Sequence, residues 1–520
     1  MKIKRLLVGA LAAGLMLSAC GQKGEDIHYD EEYDITVWVS EVDGMDTLTK
    51  KQIEDYGKEA KIKYNVTIEK QSESNAATKM ITDVTNGADI YCFAQDQTMR
   101  LVKAGALSEI VGNGAKAIRE QNDSDSVAAV TFNNSIYAYP MTSDNGYFLY
   151  YDKTVISDDI VGSFERILKA CEDADKTFSF EGDTSGWYLA SWFFGAGCKS
   201  EWTVTDDGDF TAVDDDFNSA KGLIAAKAYY AFSQSKAYLS SSDAGDFSKG
   251  SAALVSGTWA YNTVKGALGN NMGVAELPSY TDALGVKHHL GSFKGCKLMG
   301  VKPQSDPKKA VALNKLAVYL TGEKAQLERF EAVAWGPSNK EAQKNEKVLA
   351  NPALTAVRAQ SPYAVSQGQI HGSWWGIATT LATAIKNSDG SDLALAAALK
   401  TYDDSEQQLF SLDKNAWLLV GAWNGWDNAD STMIAKEVST GVFEITVEVG
   451  EDLDYKGGRF VHPGEWGTDF GGTIVDTESQ ALIDVASSTS GDHNIVFLAG
   501  GTYKLTLDTS VPSIHIVKLA

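Results

Sequence analysis

Aromatic side chains are the residues of this sequence that could most readily take part in chemistry. Twelve of the 520 residues are tryptophan, and a folded chain must either bury such rings or use their faces to bind a ligand. The sequence contains no G-x-S-x-G, H-E-x-x-H or phosphate-loop motif, so the corresponding catalytic and nucleotide sites are not indicated. The paired His288 and His289 are expected on an exposed hairpin loop rather than at a metal ion. The pattern favours noncovalent recognition and predicts no catalytic residue, metal or cofactor.

The balance of charge excludes several kinds of partner. Lysine and arginine total 46 against 69 aspartates and glutamates, which gives a formal net charge of −23. A nucleic-acid-binding chain is expected to carry a basic stripe, and a protein held by charge on an anionic lipid surface needs clustered basic residues. The acidity of this chain argues against both partners.

The N-terminus reads as a targeting signal rather than as part of a fold. Three basic residues within the first five positions precede an apolar run at 6–17, which is too short to span a bilayer as a stable helix. The run ends in L-S-A-C-G, in which small residues before Cys20 resemble the bacterial lipobox. We predict a lipoprotein signal peptide at 1–19, a lipid-anchored Cys20 and a flexible tether at 20–32. An ordinary secretory signal with a chance cysteine is the alternative.

Four further cysteines are widely spaced along the chain. Cys92, Cys171, Cys198 and Cys296 form no C-x-x-C pair, so metal or redox chemistry is not indicated. Export would permit a disulfide, with Cys171 and Cys198 as the nearest pair. Buried free thiols are the other interpretation, because a chain of this size can fold stably without disulfide bonds.

The pattern of secondary structure changes once along the chain. Strand-like and helix-like segments alternate over 33–411, beginning with a β-rich run at 35–39, a helical spacing at 48–61 and a strand-like run at 65–69. This alternation predicts an α/β architecture with a largely parallel sheet. The remaining residues show short β-type runs separated by turn residues, so we predict an all-β sandwich at 415–520.

Five segments of the large domain carry recognisable motifs in a fixed order. An opening strand at 33–38 is followed by a G-x-D-I strand and its loop at 86–96, and by a G-L-L-x-x-I-like element at 103–110. A crossing similar to x-Y-A-x-P and x-Y-N-K lies at 136–140 with 149–153, and a segment similar to F-x-x-G-x-x-A-M and G-x-W lies at 247–254 with 256–259. Together these segments resemble the maltodextrin-binding family of extracellular solute-binding proteins, which serve ABC importers.

The resemblance implies the periplasmic-binding-protein fold, in which two α/β lobes are joined by several chain crossings. One lobe would comprise about 33–142 plus 293–335, and the other about 146–290 plus 340–411. The ligand would lie in the cleft between them, and hinge closure would bury it.

The resemblance also implies a set of ligand-binding residues in this cleft. Sugars present flat apolar faces surrounded by hydroxyls, so their sites need aromatic platforms and planar hydrogen-bonding groups. The candidates at or near the family's cleft positions are Asp43, where the spacing differs from the family's, Phe93, Asp96, Asp144 or Asn145, Trp187, Tyr188, Trp259, Trp374 and Trp375. Each ring could instead belong to the core, and for Trp187 the two interpretations are evenly balanced. The carboxylates are expected to accept hydrogen bonds, although a general acid/base pair like that of glycosidases is the alternative.

The C-terminal segment resembles the starch-binding sandwich domains of outer-surface starch-utilisation lipoproteins, through its stretches at 421–426, 457–461 and 499–508. This resemblance implies a platform for a glucan built on Trp426 and Trp466, with Trp423 and Arg459 as further candidates. Alternation along the first strand would instead turn Trp423 into the core, and Arg459 could be a solvated strand charge.

Together these features predict a lipid-anchored, extracytoplasmic substrate-binding component of an ABC importer that captures malto-oligosaccharides, with an added starch-binding module. Its partners would be α-glucan oligosaccharides, starch and permease subunits, with no nucleic acid and with membrane contact through the lipid anchor only. The competing hypothesis is a cell-surface glucan-adhesion protein not coupled to transport. An enzyme such as a glycosidase is not predicted.

Overall fold

The computed structural model describes residues 28–205, 208–410, 412–428, 430–453, 455–463, 469–489 and 493–519. The predicted signal peptide at 1–19, the lipidation site Cys20 and the candidate platform residue Trp466 lie outside these described residues.

The first lobe is built on a five-stranded mixed sheet. Its strands lie in the order Ile62–Lys70, Glu31–Val39, Ile90–Ala94, Lys297–Val301 and Tyr139–Pro140. The first three run parallel, whereas Lys297–Val301 is antiparallel to both of its neighbours. The helices of this lobe are Met45–Ala60, Glu73–Thr82, Thr98–Lys103, Gly112–Gln121, Ser124–Ala129, Pro307–Leu320 and Glu323–Val333, and Thr131–Phe132 and Ser135–Ile136 form a short hairpin. One apolar core joins the sheet to these helices.

The second lobe repeats this design. Its sheet has the strand order Tyr238–Leu239, Thr177–Ser179, Ser251–Ser256, Phe148–Asp152 and Met272–Ala275. Its helices are Phe164–Asp173, Gly186–Gly195, Ala220–Ser233, Tyr261–Leu268, Glu346–Leu349, Pro352–Gln360, Trp374–Asn387 and Asp392–Gln408. Two hairpins project from it, Ser200–Val204 with Phe210–Asp215, and Ser279–Thr281 with Lys287–His289. His288 and His289 therefore lie half-buried in a strand rather than in an exposed loop.

Each sheet is mixed rather than largely parallel, and the chain crossings explain this difference from the prediction. The parallel strands end at the side of each lobe that faces the other lobe. Phe148–Asp152 and Lys297–Val301 enter their lobes from that side, so they must run against the parallel strands. Tyr139–Pro140 and Met272–Ala275 leave their lobes toward it and pair antiparallel with the entering strands. A further pairing, Ser292–Lys294 with Ala364–Ser366, lies along the second crossing.

The C-terminal residues form a separate β module of two packed sheets. One contains Leu418–Gly421, Gly457–Val461, Asp469–Phe470 and Ile495–Val496, and the other contains Lys436–Ser439, Val442–Val449, Gly501–Asp508 and Ser513–Lys518. Alternate residues such as Leu419, Phe460, Leu505 and Ile516 fill the space between the sheets. Val485–Ser488 adds one short helix. The predicted fold class, a two-lobed α/β unit followed by a β domain, is confirmed.

Candidate ligand-binding cleft

A cavity of about 770 Å³ lies between the two lobes, within the size range of small-molecule sites. The first lobe lines it with the segments at the carboxyl ends of its three parallel strands, at 40–42, 72–78 and 94–100. The last two segments include the starts of helices. In open α/β sheets, ligands bind beyond the carboxyl ends of the strands because the connecting loops meet there. The strand directions of the first lobe therefore place these loops on the cleft.

Three tryptophan rings from the second lobe line the opposite side of the cavity. Trp187 and Trp375 are each the second residue of a helix, and Trp259 lies in the short turn after strand Ser251–Ser256. The centroids of the Trp187 and Trp259 rings are 6.1 Å apart, and the ring planes are inclined by 36°. Trp187 packs edge-on against Tyr147, at 4.5 Å between centroids. All three tryptophans are half-buried, so part of each ring remains available to a ligand.

The polar floor of the cavity centres on Lys297, which enters from the second crossing. Its Nζ donates to Asn145 Oδ1 at 2.9 Å and lies 3.4 Å from Glu73 Oε1. The same ammonium lies 4.9 Å from the ring centroid of Trp259 and 5.3 Å from that of Trp335. A cation over a ring face is attracted by its quadrupole. Lys297 therefore holds the Trp259 ring against the first lobe while it pairs with the half-buried carboxylate of Glu73.

Asp96 joins the two lobes at one edge of the cavity. Gln367 Nε2 donates to Asp96 Oδ1 at 2.7 Å, and Gln97 Nε2 donates to the other carboxylate oxygen. Burial raises the pKa of Asp96, and these donors oppose that effect. Arg100 Nη1 donates to Gln97 Oε1 at 2.6 Å and supplies a positive charge one helical turn further along. The result is a hydrogen-bonded chain that reaches from the first lobe to the segment after strand Ala364–Ser366.

The structure places five of the ten residues expected in the cleft along its lining. They are Asp96, Asn145, Trp187, Trp259 and Trp375. The other five lie outside this lining: Asp43, Phe93, Asp144, Tyr188 and Trp374.

Three of those five are core residues, contrary to the expectation. Phe93 is itself fully buried in the strand Ile90–Ala94 and packs inside the first lobe. Tyr188 and Trp374 are buried in the second lobe, where Trp374 Nε1 donates to the Tyr402 hydroxyl at 2.7 Å. Successive residues of a helix point about 100° apart. In each pair of adjacent aromatics at 187–188 and 374–375, one ring consequently faces the cleft and the other faces the core.

Asp43 and Asp144 also lie outside this lining. Asp43 is exposed beyond the cavity and lies 3.3 Å from Lys70 Nζ, while Glu41 and Val42 of the same loop line the cavity. Asp144 is buried at the hinge, where its carboxylate accepts hydrogen bonds from the Thr258 hydroxyl and the Gly336 amide. Burial raises the pKa of Asp144. Its position links two of the chain crossings to the turn that carries Trp259.

Several lining residues were missed by the sequence analysis. Lys297 gives a weak signal as the one charged residue of an otherwise apolar strand, K-L-M-G-V. Glu73 opens a helix and Gln367 lies in an irregular segment, so neither has a distinctive spacing. The further lining residues include Ser373, Gly376, Asn424, Gly425 and Asp427. The last three belong to the β module.

The described residues of the β module do not form the expected glucan platform. Trp426 is only 3% exposed and packs with Leu418, Val420 and Val461. The Trp423 ring covers Gly421 and Gly458 on the first sheet, so a Cβ at either glycine would collide with it. Arg459 is buried and pairs with Asp469 at 3.3 Å. Trp426 is therefore a core residue, whereas Trp423 is only half-buried.

Other features of the described residues bear on chemistry. Cys92, Cys171, Cys198 and Cys296 are all buried and free, so the disulfide alternative for Cys171 and Cys198 is wrong. Burial raises the pKa of Cys171, Cys198 and Cys296 to about 12. Within the part of the chain that the structure describes, no cluster of three or more metal-ligating side chains occurs. No helix there has the length and apolar character needed to cross a membrane.

The sequence profile described as bacterial extracellular solute-binding protein matches residues 51–356, more than half of the chain. The chain belongs to this family. Its fold and the interlobe cleft are those expected of a member, since the matched residues contain most of both lobes. Comparison with curated proteins finds no match.

Solved structures similar to this solute-binding protein cover 72% of its chain. One, described as a complex with acarbose, is 29% identical, with a TM-score of 0.63 and 98% of its own chain covered. The maltodextrin binding protein MalE1 from L. casei BL23 is 22% identical, with a TM-score of 0.61 and 99% covered. The GacH receptor of Streptomyces glaucescens GLA.O is 18% identical, with a TM-score of 0.60 and 98% covered. The last two similarities establish the fold alone.

Proposed function

We propose that this solute-binding protein captures malto-oligosaccharides in the interlobe cleft and delivers them to an ABC permease. The observation that carries the proposal is the convergence of Trp187, Trp259 and Trp375 on one cavity that also contains carboxylate, amide and ammonium groups. Ring faces suit the apolar faces of glucose units, and the polar groups suit the surrounding hydroxyls. The similar structure in complex with acarbose supports the same class of ligand.

Ligand capture would proceed through hinge closure around the sugar. In this structure Asp96 and Gln367 join the two lobes, as do Gln95 and Gln369, whose carbonyl oxygen and Nε2 lie 2.9 Å apart, and we propose that these contacts form as the lobes close. Closure therefore gains hydrogen bonds between the lobes while it removes water from the rings. Stacking of the sugar on the tryptophan rings would stabilise the closed conformation.

Attachment to the cell envelope would follow from the N-terminal signal. Acylation of Cys20 would hold the protein at the membrane surface, and the tether at 20–32 would leave the lobes free to reach the permease. The proposal contains no catalytic step, and the cleft carboxylates serve as hydrogen-bond acceptors.

Import can be separated from adhesion in cells. Deletion of the coding region should abolish uptake of radiolabelled maltotetraose, and re-expression of the wild-type chain should restore it. Re-expression of the Trp259→Ala variant, at equal protein level, should fail to restore it. Normal uptake in the deleted strain, together with lost attachment to starch granules, would instead favour the adhesion hypothesis.

A further inference from the structure

A loop of the β module enters the ligand cleft. Asn424, Gly425 and Asp427 line the same cavity as Trp187 and Trp375. They lie beside Ser373 and Gly376, at the start of the helix that carries Trp375. The cavity therefore has three walls, and the third comes from residues outside the 51–356 match to the solute-binding family.

The module is attached to both lobes around this point. The Ser373 hydroxyl donates to Asp427 Oδ2 and ties the loop to the second lobe. The Arg100 guanidinium of the first lobe is half-buried, desolvation lowers its pKa, and the negative charge of Asp427 opposes that effect. At a second place, Asn494 Nδ2 donates to the Thr82 carbonyl at 3.0 Å. The module thus spans the opening between the lobes at one end of the cleft.

The loop is held in one shape by its own hydrogen bonds and by a buried ring. The Gly421 amide donates to Asn424 Oδ1 at 3.0 Å, and Asn424 Nδ2 donates to the Asp427 carbonyl at 2.9 Å. Gly425 and Trp426 have φ values of +63° and +61°, and the buried Trp426 ring anchors the turn. The tight turn places the small Gly425 at its exposed tip.

We infer that the loop 421–428 is an end wall of the cleft, through which the β module limits the length of ligand that the two lobes can enclose. This inference rests on the proposed function for its ligand class. A glucan chain that extends past Trp375 toward Ser373 meets the backbone at Gly425. It can continue only if Asp427 leaves Ser373. The closed cleft should accordingly favour a short oligosaccharide, or the end of a chain, over the interior of a polymer.

A substitution at the tip of the loop tests the wall directly. A Cβ at Gly425 would have no atom within 4 Å, and asparagine tolerates its left-handed backbone. Gly425→Asn should therefore add bulk to the cavity without disturbing the fold. Gly285→Asn is the matched control, because Gly285 also has positive φ (+81°) and open space but lies on a distant hairpin turn.

Calorimetric titration with the series from maltose to maltoheptaose provides the readout. Gly425→Asn should lower the affinity for the longest members about fivefold or more and leave maltose within about twofold of the wild type. Gly285→Asn should match the wild type at every length. A Gly425→Asn protein that gives the wild-type length profile would overturn the inference.

A second readout does not depend on any sugar. Hydrogen exchange of the ligand-free, full-length chain should show 421–428 and 371–376 protected together, and Asp427→Ala should raise the exchange of both segments. Asp427→Asn can still accept the Ser373 hydrogen bond and should have a smaller effect. Independent exchange of the two segments would overturn the inference whatever the ligand. Failure of the wild type to bind any α-glucan would overturn the proposed function, and the exchange result would still decide whether the wall exists.

Discussion

Gln367 connects Asp96 of the first lobe to Trp187 of the second through one amide group. Its Nε2 donates to Asp96 Oδ1 at 2.7 Å, and its Oε1 accepts from Trp187 Nε1 at 3.2 Å. The orientation of a candidate stacking ring is thereby coupled to the approach of the lobes. A ligand that stacks on Trp187 would favour closure, and closure would fix the ring.

Removal of this amide should weaken ligand binding without unfolding the protein. Gln367→Ala loses two hydrogen bonds, each worth about 1 kcal/mol net, so the affinity for maltotetraose should fall about thirtyfold. Gln304→Ala is the control, since Gln304 bonds to Asp89 away from the cleft. Calorimetry measures both. Equal affinities for the two variants would contradict a role for Gln367 in closure.

Loss of the Trp259 ring should also reduce affinity. Burial of a large apolar side chain is worth about 1.5–3 kcal/mol, so Trp259→Ala should bind maltotetraose about tenfold or more weakly. Trp202→Ala removes a similarly half-buried ring that lies outside the cleft lining. It should bind like the wild type. A folded Trp259→Ala protein with wild-type affinity would show that this ring is not a sugar platform.

Stability should depend on pH through a buried pair of carboxyl groups in the second lobe. The Tyr402 hydroxyl lies 2.8 Å from Asp215 Oδ2 and 3.0 Å from Glu406 Oε1. Burial raises the pKa of both carboxyl groups, and the charge of Asp215 raises that of Glu406 further. The folded state therefore keeps a proton that the unfolded state releases near pH 4.5. The free energy of unfolding should fall as pH rises above that value.

Replacement of Glu406 tests this pH dependence of the free energy of unfolding. Glu406→Gln keeps the size and polarity of the side chain but cannot ionise, so urea denaturation between about pH 5 and pH 8 should give a flatter profile than in the wild type. Glu346→Gln, at an exposed position, should leave the profile unchanged. An unchanged slope in Glu406→Gln would mean that the buried pair does not govern the pH dependence.

The four buried cysteines should behave as unreactive thiols. Their burial and raised pKa values predict slow reaction with a thiol reagent under native conditions. In denaturant without reductant, a chain that begins after Cys20 should titrate with four thiols. Dithiothreitol should leave Tm unchanged. Two thiols instead of four would indicate a disulfide.

Local patterns predicted the elements of the fold well where the chain carries its own boundary signals. The helix Pro307–Leu320 begins at such a signal, because Asp306 caps the Lys308 amide and proline suits the first turn. The directions of the strands could not be predicted from local patterns. They depend on which strands enter a lobe from the hinge, and this is a property of the two lobes together.

The cleft was predictable only in part, for a geometric reason. Motif positions led to Trp259, but adjacent rings such as Trp374 and Trp375 cannot be divided between core and cleft without the helix orientation. Lys297 faces the cavity because two lobes meet there, and its spacing carries no such information. The entry of Asp427 into the cleft depends on how the β module packs on the lobes, which no local pattern encodes.

The most direct test of sugar capture is a calorimetric titration of the wild-type protein with maltotetraose and, in parallel, with xylotetraose. If the sugar stacks on the rings of Trp187 and Trp259, maltotetraose should bind saturably at one site per chain. Xylotetraose should bind at least about tenfold more weakly. Absence of maltotetraose binding, or a preference for xylotetraose, would contradict the proposed function.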